Sequence, residues 1–281
     1  MKFVTTILDL VGYSNLFLAF CVYCSTLQVG LLFHEHSDSA YLFATINFLA
    51  TFCLYNVQRI FQSFQSTIDE RLLWYRKNKY YIFILTVFLV FSFSNLILRT
   101  LFTHKETVLI YGILVVFSLL YFLPPFEFRK IPFLKGFYIA FAWITANAII
   151  PLLFLGESYR GIINLQKEHW AYVLSQFFFI SAICIPFDIR DMTKDKVSNV
   201  GSLPILLGLK KSKMIAIFLL SIYALLAFSM SIKNLFLVRC FVFMVSALGI
   251  VFSEQSRHRY FYIFYIDGLI VFQTILLKIF L

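Results

Sequence analysis

Three aspartates carry the clearest chemistry in this chain. Asp188, Asp191 and Asp195 stand in the stretch Asp-Ile-Arg-Asp-Met-Thr-Lys-Asp-Lys, at spacings of i, i+3 and i+7. At about 100° per helical residue, those offsets put all three within roughly 60° on one helix face. Carboxylates stacked in this way repel one another unless a cation lies between them. Mg²⁺ prefers such oxygens and keeps substrate phosphates among its other ligands. An apolar run at 170–187, long enough to cross a bilayer, leads directly into the motif. The pattern points to a membrane protein that handles a phosphorylated or diphosphorylated lipid, with Mg²⁺ on Asp188, Asp191 and Asp195. A plainer reading stands beside it: a solvated helix end whose acids are neutralised by Arg190, Lys194 and Lys196.

The composition places these residues in a membrane. Hydrophobic residues make up 61% of the chain and charged residues 14%, against about 25% charged in a soluble domain. The net charge of +10 then reflects basic loops and anionic headgroups rather than nucleic acid. Apolar runs of spanning length are placed at 11–33, 39–57, 80–98, 107–123, 134–155, 169–187, 214–232, 235–252 and 260–281. The chain is therefore expected to be all-α, a polytopic bundle of about nine transmembrane helices forming one domain over 1–281. Only Ser-Ile-Lys-Asn separates the seventh and eighth runs, so eight spans with one long broken helix is the alternative. The first run is expected to act as an uncleaved anchor.

Lysine and arginine set the orientation. With the N-terminus inside, the inner segments hold 17 of them and the outer segments 7, which favours N-in and C-out. The aspartate motif then faces the cytoplasm, from the inner membrane if the source is bacterial. The two longest inner loops, 58–79 and 188–213, lie four spans apart, a weak sign of two similar halves.

Two stretches resemble the UbiA superfamily of intramembrane prenyltransferases. At 187–213 the sequence Phe-Asp-Ile-Arg-Asp-Met-Thr-Lys-Asp-Lys, followed by Ser-Leu-Pro-Ile-Leu-Leu-Gly, is similar to that family's second aspartate-rich motif. At 119–136 Leu-Leu-Tyr-Phe-Leu-Pro-Pro, with basic residues and then Leu-Lys-Gly, is similar to the end of its fourth span. The resemblance implies a prenyl diphosphate substrate, Mg²⁺ on the aspartates and an aromatic or lipidic acceptor. Diphosphate contacts are expected from Asn56, Arg59, Arg129, Lys130, Arg190 and Lys194. An allylic carbocation would form in an apolar tunnel, where aromatic faces stabilise it.

One departure is large. The family's first motif, Asn-Asp-x-x-Asp-x-x-x-Asp, should end the second span, but here Asn56 is followed by Val57, Ile60 and Phe64 where the aspartates belong. Arg59 is the new element, able to grip diphosphate oxygens bidentately or to serve only as a topology anchor. Asn56 itself is either a ligand or a packing residue. Asp267 sits about 10 Å into the last span by helical rise, where carboxylates face a cavity or a partner. Asn47 and Asn147 are expected to hydrogen-bond between helices. The five cysteines lie in apolar runs and imply no disulfide framework, and His34, Glu35 and His36 do not share a helix face. Three functional classes follow: a prenyltransferase with an altered diphosphate site, an inactive relative that binds a prenyl lipid or scaffolds a complex, and a transporter. The transporter lacks charged pairs deep in several spans.

Overall fold

Backbone in a bilayer must satisfy its own hydrogen bonds, and long runs rich in Phe, Leu and Ile do so as helices. The computed structural model describes residues 2–33, 37–63, 70–95, 98, 105–123, 125–154 and 164–281, and every regular element among them is helical. The helices are α1 (Lys2–Tyr13), α2 (Leu16–Phe33), α3 (Ser37–Ser63), α4 (Glu70–Ser92) and α5 (Lys105–Phe122). They continue with α6 (Leu134–Phe154), α7 (Lys167–Val197), the short α8 (Leu203–Leu207), α9 (Leu209–Ser229), α10 (Leu235–Val251) and α11 (Phe261–Phe280).

Among the described residues, six helices are long and apolar enough to cross a membrane: α2, α3, α6, α7, α9 and α11. Two apolar stretches, Glu106–Tyr121 and Leu235–Val251, are shorter, and α4 opens with Arg71, Arg76, Lys77 and Lys79. The chain is an integral membrane protein. The sequence count was about nine spans; six reach full length here.

α7 is the most enclosed helix. It packs on α6 and α9; α9 packs on α10, α10 on α11, α11 on α2, and α2 on α3. Buried apolar side chains from Cys21 to Leu277 form a continuous cluster through these contacts.

Several boundaries differ from the sequence reading. The first run, 11–33, is broken at Asn15, whose φ of 65° is left-handed, a conformation asparagine tolerates better than most residues. The seventh and eighth runs are separate helices, parted at 231–234 with Asn234 also left-handed at φ 60°. The expected loop 188–213 is largely helical. α7 continues through Pro186 to Val197, so the aspartate motif rides on a rigid helical extension. α8 and α9 are hinged at Gly208, where φ is 81°, a value that glycine adopts without steric penalty.

A second joint positions α6. Phe133 takes φ 64° immediately before Leu134 and donates its backbone N–H to Gly201 O at 3.1 Å. A Cβ at Gly201 would lie 3.3 Å from Pro132 Cα. The turn before α6 is therefore pressed onto the turn after α7, and α6 starts at a fixed height beside the aspartates.

Helix α10 meets α11 closely at Gly249, where a Cβ would stand 2.6 Å from Tyr265 Cε1 and 3.0 Å from Ile266 Cδ1. Small residues let membrane helices approach in this way. Gly249→Leu should destabilise the protein by the ~1–3 kcal/mol typical of overpacking, read as a lower thermal midpoint in detergent. Gly112→Ala is the control, because nothing lies within 4 Å of its added carbon. An equal response of the two variants would contradict the close α10–α11 contact.

Candidate functional site

The helices enclose a cavity of about 930 Å³. Its mouth carries the charged residues and its body is largely apolar and aromatic. α3 contributes Thr51, Leu54, Tyr55, Gln58 and Arg59; α5 and α6 contribute Leu114, Tyr121, Tyr138 and Trp143. Seven cationic side chains line it: Arg59, Arg71, Arg129, Lys135, Arg190, Lys194 and Arg259. Four carboxylates face them: Asp188, Asp191, Asp195 and Asp267. At neutral pH with every group ionised, the lining is net positive.

The three aspartates share one end of α7, as their spacing predicts, but each is already engaged. Lys135 Nζ lies 2.9 Å from Asp188 Oδ1 and 2.7 Å from Asp195 Oδ2. It is the second residue of α6, set at this height by the Phe133–Gly201 joint. Asp191 pairs with its neighbour Arg190 as a fork, Nε to Oδ1 at 2.9 Å and Nη2 to Oδ2 at 3.0 Å. The guanidinium is also packed over the rings of Phe187 and Tyr262, at 4.9 and 5.3 Å from their centroids. Charged hydrogen bonds of this kind are the strong ones.

These contacts bear on the expected Mg²⁺. A divalent ion between Asp188 and Asp195 would need the space that the ammonium of Lys135 fills, and Asp191 is turned to Arg190. Among the described residues, no group of three or more His, Cys, Asp or Glu side chains is gathered as metal ligands would be. The donor set as arranged does not fit the ion.

The first-motif segment also differs from expectation. Val57 and Ile60 are exposed and do not line the cavity; Phe64 lies outside the described residues. The cavity face of α3 runs through Thr51, Leu54, Tyr55, Gln58 and Arg59, and none of these is acidic. Carboxylates at 57 and 60 would point away from the site.

Asn56 is placed elsewhere than the resemblance implied. It is buried and absent from the cavity lining. Its Oδ1 accepts from Asn15 Nδ2 at 2.9 Å, and Asn15 Oδ1 accepts from Arg71 Nη2. Arg71 also reaches the carbonyls of Gly12 and Tyr13, at 3.4 and 3.5 Å, the free carbonyl end of α1. Asn56 thus ties α3 to the α1–α2 break. Lys130 is turned away too, paired with Glu127 at 2.6 Å, whereas Arg59, Arg129, Arg190, Lys194 and Asp267 all line the cavity.

Deeper in the cavity, Asn47 and Asn147 make the interhelical bonds expected of them. Asn47 Nδ2 donates to Ala146 O at 2.8 Å and to Thr26 Oγ1 at 3.1 Å, and its Oδ1 accepts from Tyr111 OH at 2.8 Å. Thr26 Oγ1 lies 3.4 Å from Asn147 Oδ1. The α6 backbone widens to a π-turn at Thr145–Ile149, a distortion common at functional sites.

Sequence reasoning missed Lys135, Arg71 and Arg259 as site residues. All three had been counted as loop charges. The one available signal was the Leu134-Lys135 pair within the Pro-Pro stretch.

No family model matches the chain. No curated protein matches it either. A solved structure of a digeranylgeranylglyceryl phosphate synthase in membranes aligns over 100% of this chain and 98% of that one, with a TM-score of 0.55 and 19% identity. The two proteins share a fold. The all-α membrane bundle expected from the sequence is the architecture observed, with six full-length spans among the described residues.

Asn56→Leu would remove the acceptor for Asn15 and loosen the Arg71 clasp on α1. Leaving buried hydrogen-bonding groups unpaired costs about 1–3 kcal/mol. Hydrogen exchange at 6–13 should therefore accelerate by about tenfold or more, while α10 stays protected. Unchanged exchange in α1 would show that other contacts hold it.

Proposed function

We propose that the protein is an intramembrane prenyltransferase that moves a prenyl group from a prenyl diphosphate to a small aromatic or lipidic acceptor. The observation that carries this reading is a single cavity joining a net-positive, charge-lined mouth to an aromatic, apolar body. That shape matches an amphiphile with an anionic head and a long hydrocarbon chain. The fold shared with a digeranylgeranylglyceryl phosphate synthase supports the same reading.

In this mechanism Arg59, Arg129, Arg190 and Lys194 bind the diphosphate head. The bond between the allylic carbon and the diphosphate oxygen breaks, and its electron pair leaves with the diphosphate. The cations at the mouth stabilise that developing charge. The rings of Tyr55, Tyr121, Tyr138 and Trp143 face the hydrocarbon, where aromatic faces stabilise a carbocation. The acceptor attacks that carbon and then loses a proton to a carboxylate, a role we assign to Asp267, which lines the same cavity.

A second reading has one observation in its favour: the cavity face of α3 bears no carboxylate. An inactive relative would bind the prenyl lipid and release nothing. Purified protein in lipid, given prenyl diphosphates of several lengths with candidate aromatic and lipid acceptors, should release diphosphate in step with a prenylated product. Retained lipid with no release at any length would establish the binding role instead.

The proposed orientation puts the mouth in the cytoplasm. Val197, at the exposed end of α7, offers a direct check. A cysteine introduced there by Val197→Cys should react with an impermeant thiol reagent only after the membrane is opened. Labelling in intact cells would reverse the topology and remove access to cytoplasmic diphosphates.

A further inference from the structure

We infer that this site binds its diphosphate without a divalent metal, with Lys135 serving as the built-in cation between Asp188 and Asp195. The inference rests on the prenyl diphosphate reading above and concerns how that head group is held.

Three independent placements lead to it. The ammonium of Lys135 stands within 3 Å of both Asp188 and Asp195, in the space between the two acids. Asp191 is gripped by both arms of the Arg190 fork, so it is not open to a metal. The α3 face lines the cavity with Gln58 and Arg59, and among the described residues α3 adds no carboxylate to it. What two aspartate clusters and metal ions would otherwise supply is here supplied by fixed side chains.

The charge balance agrees. Seven cations and four carboxylates line the cavity, an excess of positive charge before any ion binds. A prenyl diphosphate brings two to three negative charges to the mouth. Lysine has three N–H donors; two meet the aspartates, and the third is left for a phosphate oxygen. The aspartates then act as positioning residues for Lys135. They orient the ammonium and hold it at the mouth rather than letting it swing to solvent.

The acids also explain themselves on this account. A lysine at the edge of an apolar cavity is stable only if its charge is compensated. Two carboxylates set two turns apart on α7 do this while leaving the site cationic overall.

The test measures binding rather than turnover. The full chain, purified into lipid nanodiscs, is titrated with inorganic pyrophosphate and with the thiolo analogue of geranylgeranyl diphosphate, whose C–S bond resists ionisation. Affinities in chelator and in saturating Mg²⁺ should agree within about threefold. In Lys135→Met the chelator affinity should fall by at least about tenfold. Mg²⁺ should then restore it, because Asp188 and Asp195 become free to take the ion. Lys135→Arg, which keeps the charge, should remain independent of Mg²⁺. A purely structural lysine would not convert one metal response into the other. Wild-type binding that collapses in chelator and returns with Mg²⁺ overturns the inference and leaves prenyl transfer standing. Binding of neither probe under either condition overturns the prenyl diphosphate reading itself. The wild-type comparison needs no variant, so a Lys135→Met protein that fails to fold does not shield the inference.

Discussion

The contact on which the site depends is the lysine bridge between two helices. Lys135 of α6 reaches Asp188 and Asp195 of α7 at 2.9 and 2.7 Å, with all three side chains largely removed from water. Charges in such a place are stable only in pairs, since losing one partner leaves the others exposed to a low dielectric. The bridge therefore fixes three things together: the height of α6 along α7, the direction of two aspartates and the sign of the cavity mouth. The joint at Phe133 and Gly201 serves the same end from the backbone side, by pinning the residue that precedes α6 to the turn that follows α7. α7 can present acids beyond the apolar zone because it does not stop at Pro186. Its helix continues to Val197 and meets the α6 turn there.

Elsewhere in the bundle, buried polar side chains join helices by hydrogen bonds. Arg239 is almost fully buried, yet it donates to Tyr223 O at 3.1 Å and to Ser175 Oγ at 2.8 Å, and lies over the ring of Tyr223. One guanidinium so links α7, α9 and α10. On the other side, Gln28 donates to Thr274 Oγ1 at 2.8 Å and joins α2 to α11. Asn47 does the same for α2, α3, α5 and α6 through Thr26, Tyr111 and Ala146. Lipid and packed interior are equally apolar, so these bonds and close contacts such as Gly249 with Tyr265 select which helices meet.

How much of this was legible in the sequence differs by level. The helical class and the membrane setting follow from apolar runs of the right length, because only helices satisfy those backbones in lipid. The face shared by Asp188, Asp191 and Asp195 follows from helical periodicity. Helix ends were less visible. The break at Asn15 and the extension of α7 depend on left-handed residues and on contacts to distant turns, and neither leaves a mark in hydropathy. Partner choice was invisible. Lys135 lies 53 residues before Asp188 in the numbering, and Asn15 lies 41 before Asn56, so no local spacing could reveal either pair. That Val57 and Ile60, at first-motif positions, face away from the cavity was hidden for a related reason. A motif fixes which residues follow one another, while the helix rotation is set by what α3 packs against.

That last distinction governs the chemistry of the mouth. On a helix, a shift of one residue turns a side chain by about 100°. Had α6 begun one residue earlier or later, Lys135 would leave the gap between Asp188 and Asp195, and two carboxylates would face the cavity without a cation. The same acids would then form a metal-seeking pair. The identity of the aspartates therefore does not determine what they hold. The rotation of the neighbouring helix does, and that rotation is set at Phe133, a bulky residue kept at φ 64° where few non-glycine residues sit without strain. A turn outside the cavity thereby decides whether Asp188 and Asp195 meet a built-in cation.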